Sequence, residues 1–147
     1  MYGYVLQDWI TIRGNTATSG TGDIIQGEST WMGFSSFQDI VFWLDVREMT
    51  FPTGGSAQLT FNFETSPSKD NNLFTVMASV GPLTSLSSPG VQTPLPKVIL
   101  ASGPSVPLAT WVRWRISPNA TTGPWDATFR VLCAANRVVR EASQRMF

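Results

Sequence analysis

Catalysis needs titratable or nucleophilic groups held at defined separations, and the close acidic pairs of this chain are Asp45 with Glu48 and Asp23 with Glu28. Two neighbouring carboxylates are what general acid–base work and glycoside hydrolysis require. Their spacing argues against that chemistry. On a strand over residues 38–48, positions 45 and 48 have opposite parity and project from opposite faces. Asp23 and Glu28 fall in a turn-rich stretch where solvated or surface-paired carboxylates are ordinary. A hydrolase would need carboxylates from separate strands to converge. Serines are plentiful, but there is no G-x-S-x-G elbow and no histidine to activate a hydroxyl. Without histidine the chain also lacks the commonest general base and transition-metal ligand, and the single Cys133 can build neither a zinc cluster nor an internal disulfide. Cys133 lies in an inward-facing series and reads as a small buried apolar side chain. Gly20-Thr21-Gly22 is too short for a phosphate loop and precedes no convincing helix. Asn119-Ala120-Thr121 matches a glycosylation acceptor, but residues 1–13 show no signal peptide. The expectation is a non-enzyme with no catalytic, cofactor or metal site.

The elements that would position any site are short strands. Ile40, Phe42, Leu44 and Val46 alternate with Asp39, Val41, Trp43, Asp45 and Arg47, and after a Pro/Gly turn Leu59, Phe61 and Phe63 alternate with Gln58, Thr60, Asn62 and Glu64. These two strands are expected to pair as an antiparallel hairpin. Further strands are expected over 73–79, 97–101, 108–117 and 127–135. On 108–117, Val112, Trp114 and Ile116 share one side, and Trp111, Arg113 and Arg115 the other. Residues 81–96, with four prolines, read as a long loop. Weaker strand patterns cover 5–12, 23–25 and 29–34, joined by a polar connection over 14–22. The best helical candidate, 136–145, is short and close to a chain end. Seven to nine strands with Pro/Gly punctuation predict an all-β fold, an antiparallel β-sandwich of jelly-roll type with extended terminal segments, a closed barrel being the alternative. Residues 1–36 form a strand-bearing arm of the same domain, 37–136 the sandwich core, and 137–147 a C-terminal tail.

The chain has 147 residues, ten basic and ten acidic groups, and 42% hydrophobic residues, enough for one domain to fold without staples. Zero net charge with 14% charged residues offers no field to steer the chain onto nucleic acid or an anionic bilayer. No apolar run approaches the roughly 20 residues of a membrane helix. A soluble chain made in a cytoplasm is expected, with neither nucleic acid nor membrane as partner. Only two of the ten basic residues are lysines, and arginine suits geometrically fixed protein contacts. Trp43 and Trp111 stand on the faces that carry charged residues, which leaves three readings: a second buried layer, a protein interface, or a platform on which sugar rings stack. Trp9 and the ends of the chain add to the interface set, with Tyr2, Tyr4, Arg113, Arg115, Arg137, Arg140, Arg145, Met146 and Phe147. Apolar ends can order on a neighbouring subunit or fold back onto their own sandwich.

Three stretches carry a family resemblance: Gly54-Gly55-Ser56-Ala57-Gln58-Leu59-Thr60-Phe61 running into Glu64-Thr65-Ser66-Pro67, then Leu108-Ala109-Thr110-Trp111-Val112-Arg113-Trp114-Arg115, then Ala127-Thr128-Phe129-Arg130-Val131. Over residues 38–135 the arrangement resembles the capsid decoration, or cement, proteins of tailed bacteriophages, and is also similar to phage receptor-binding sandwiches. The resemblance implies a virion protein on the capsid surface. Its partners would be the major capsid protein of the same virus and further copies of itself, as a homotrimer, with no catalytic residues. A carbohydrate-binding or receptor-binding module of a phage tail or fibre is the alternative it leaves.

Overall fold

The computed structural model describes residues 2–16, 22–50, 58–84, 91–92, 97–100, 106–118 and 123–137. Their strands are β1 (Tyr2–Thr16), β2 (Ile24–Ile25), β3 (Met32–Gly33), β4 (Phe37–Thr50), β5 (Gln58–Ser66), β6 (Thr75–Thr84), β7 (Val91–Gln92), β8 (Lys97–Leu100), β9 (Trp111–Ser117) and β10 (Gly123–Arg137). One sheet runs β1-β10-β4 with β7 and β8 both on β4, and the other runs β9-β5-β6 with β2 and β3 both on β9. All pairings are antiparallel. They are nested: first strand with last, β2 and β3 with β9, β4 with β7 and β8, β5 with β6. A long hairpin wrapped into two facing sheets is a jelly roll, so the all-β sandwich read from the alternation is the fold observed.

The expected hairpin of residues 38–48 with 58–64 does not form. β4 and β5 lie in opposite sheets and meet through their inner faces, where the rings of Phe42 and Phe63 stack at 4.4 Å and 9°. Alternation dictates which side chains point inward, and it is satisfied as well by a partner across the core as by one alongside. Ile40, Phe42, Leu44 and Val46 from β4 are buried as expected, with Leu59, Phe61 and Phe63 from β5, Val112, Trp114 and Ile116 from β9, and Ala127, Phe129, Val131, Cys133 and Ala135 from β10. Burial of each large apolar side chain stabilises the fold by about 1.5–3 kcal/mol.

Five local expectations are also corrected. At β4 the register passes from Phe129↔Val46 to Thr128↔Glu48, so Arg47 is an extra residue. This bulge switches the inward parity from Val46 to Met49, leaving Arg47 and Glu48 both exposed. Asp45 and Glu48 therefore share the outer face. Leu73 ends a 3-10 turn, Asn71–Leu73, in which the Asn72 amide donates to Asp70 Oδ1 at 3.0 Å, and β6 starts only at Thr75. β6 then continues into the stretch expected to be irregular, through Gly81 at φ 123° and a cis peptide to Pro82. It is an edge strand, where a missing N–H costs no ladder bond. Residues 29–34 hold a 3-10 turn, Glu28–Thr30, and the two-residue β3 rather than one strand. Asn136 and Arg137 extend β10. The turn at 51–56, residues 119–122, most of the proline-rich loop and the remainder of the tail lie outside the described residues.

One feature joins the two sheets and another seats a ring within the first sheet. The buried Gln26 side chain donates to Leu6 O at 3.1 Å and Thr30 O at 2.9 Å and accepts from the Trp114 amide at 3.0 Å, joining β1 of one sheet to β9 of the other. Three of the four hydrogen bonds this core amide can make are thereby formed. Gly14 lies against Trp125, where an added Cβ would fall 2.3 Å from the indole. Only glycine lets this β1 position admit that ring.

Candidate docking face

On the outer side of the second sheet, Glu64 is clamped between two arginines. Arg113 Nε donates to Glu64 Oε2 at 2.8 Å, and Arg115 Nε lies 2.7 Å from Glu64 Oε1 as an ion pair without hydrogen-bond alignment. Arg115 Nη1 reaches Asp23 Oδ2 at 2.6 Å, and Ser117 Oγ donates to the same oxygen at 3.2 Å. Ser117 in turn accepts from Asn62 Nδ2 at 3.1 Å, and Asn62 Oδ1 accepts from Ser79 at 2.9 Å. The Arg113 guanidinium also bonds to Asn71 and sits over Phe74 at 3.8 Å and Trp31 at 5.0 Å. Arg113 is only 3% exposed, so this cation is occupied inside the chain, while Arg115 keeps a partly exposed edge. Trp111, half-buried nearby, carries Lys69 Nζ 4.5 Å above its ring. Asp23 thus pairs with Arg115 and not with Glu28, and among the described residues no group of three His, Cys, Asp or Glu side chains could hold a metal.

Cys133 is buried on the inner side of β10, and desolvation pushes its thiol up to about 12. Such a thiol stays protonated across the physiological range and is a packing group.

The outer side of the first sheet is different in kind. Register places Val5 opposite Leu132 and Leu132 opposite Trp43, and in the next outward row Gly3 opposite Ala134 and Ala134 opposite Val41. Outward positions of three adjacent strands are thus apolar together. They form an open groove of about 490 Å³ along Gly3, Val5, Trp43, Leu132 and Ala134. Val5 is 54% exposed. Beyond the groove in one direction, Arg130 Nε donates to Asp45 Oδ2 at 2.9 Å. There Trp9, 40% exposed, carries the guanidiniums of Arg130 and Arg47 at 4.9 and 5.2 Å from its ring. In the other direction Asn136 donates to Asp39 at 2.8 Å, whereas Arg137, opposite Phe37 and at inward parity, lies over Tyr2 at 4.9 Å and Phe37 at 6.0 Å at the end of the sandwich. Tyr2 and Tyr4 pack edge-on against Phe37, and Tyr4 also against Phe34, closing that end of the sandwich. An apolar centre bordered by polar pairs and by two arginines on Trp9 has the composition of a protein interface.

Of the residues singled out from the sequence, Trp9 and Trp43 meet on this face, Tyr2, Tyr4 and Arg137 cluster with Phe37 at inward parity at the end of the sandwich, Trp111, Arg113 and Arg115 belong to the other sheet, and Arg140, Arg145, Met146 and Phe147 lie outside the described residues. Val5, Val41, Leu132, Ala134, Arg47 and Arg130 were not singled out. Their signal is present in the sequence as apolar residues at outward parity, but only the strand order shows that they are neighbours. Among the described residues no helix is long and apolar enough to cross a membrane.

No protein-family model matches the chain, and no curated protein matches its sequence. Among solved structures it is similar to the infectious bursal disease virus VP2 subviral particle, at 13% identity and TM-score 0.47, over 92% of this chain and 32% of that one. It is likewise similar to T=1 particles derived from infectious bursal virus, at 14% identity and TM-score 0.47, over 92% of this chain and 31% of that one. The chain spans about a third of the length of the solved chains it matches.

Proposed function

We propose that this chain is a non-enzymatic structural protein of a virus particle: a decoration, or cement, protein that binds the outside of a phage capsid as a trimer and stabilises the shell. The observation that carries the reading is the outer face of β1, β10 and β4, an apolar groove bordered at one end by Trp9, Arg47 and Arg130 on a jelly roll with a filled interior. Jelly rolls serve capsid and lectin domains alike, so the choice between them rests on the face and not on the fold. A protein that binds assembled shell and not free subunits shifts the balance towards shell by mass action, and three linked copies multiply the effect of one weak contact. Cyclic symmetry would match a local three-fold axis of the lattice.

A carbohydrate module is supported less well. Stacking on a sugar needs polar groups beside the aromatic ring to bind hydroxyls, whereas among the described residues the groove is lined with Trp43 by Gly3, Tyr4, Val5, Leu132, Cys133 and Ala134, and the Tyr4 ring packs against Phe34 and Phe37. Native mass spectrometry and tryptophan fluorescence separate the two readings. The decoration reading expects a mass of three 16.1 kDa chains and no fluorescence change with soluble glycans. A monomer quenched by a glycan would overturn it.

A further inference from the structure

We draw no further inference here: the strongest candidate, the open apolar groove along Gly3, Val5, Trp43, Leu132 and Ala134 on the outer face of β1, β10 and β4, carries none, because nothing in the structure shows what covers it.

Discussion

Replacing Glu64 with leucine is expected to destabilise the fold by about 3–5 kcal/mol, the usual consequence of removing one member of a buried ion pair. The Glu64 carboxylate is almost fully buried and faces Arg113 Nε at 2.8 Å and Arg115 Nε at 2.7 Å. Arg115 keeps Asp23 as a second anion at 2.6 Å. Arg113 has only the neutral Asn71 amide and the faces of Phe74 and Trp31, which attract a cation by about 0.5–2 kcal/mol and do not replace a carboxylate. The loss therefore falls on a desolvated guanidinium. A loss of that size is a large share of the ~5–15 kcal/mol that holds an ordinary domain together. The double change Glu64→Leu with Arg113→Met is expected to recover much of it, because two apolar groups of similar volume satisfy a buried site that one unpaired charge does not. Urea unfolding of the three proteins checks this. A single variant within about 1 kcal/mol of wild type would show that solvent reaches Arg113.

Phe42→Ala is the second large effect, about 3–5 kcal/mol. Phe42 is fully buried and stacks on Phe63 across the two sheets at 4.4 Å, so its loss opens a cavity that β4 cannot close without moving away from β10. Phe63→Ala should cost a similar amount. The double variant should cost less than the sum, because the ring–ring contact is counted in both singles, with a coupling of about 0.5–1.5 kcal/mol. Additive losses would mean that the two rings do not meet and that the strand order between the sheets is wrong.

Some of this was legible in the sequence. Strict alternation around Phe42, Phe61 and Phe129 identified the core faces, because side-chain period is a local property. The same alternation could not say that β4 and β5 face each other, since strand order is decided by contacts distant in the chain. Arg113 was read as surface because its parity is outward, and its parity is outward; the turns carrying Trp31 and Asn71 cover that face. Leu132 and Val5 were visible only as isolated outward apolar residues, and nothing short of the β1-β10-β4 register makes them one patch with Trp43. The bulge at Arg47, which turns both Arg47 and Glu48 outward, has no glycine or proline to announce it.

The central claim is that this chain stabilises a virus shell by binding it. Thermal disassembly of the virus's empty shells, followed by light scattering with and without saturating chain, tests it most directly. The account expects the disassembly temperature to rise with chain concentration and to level off when the sites are full, as linkage to a saturable ligand requires. Shells that come apart at the same temperature at every concentration of added chain would contradict it.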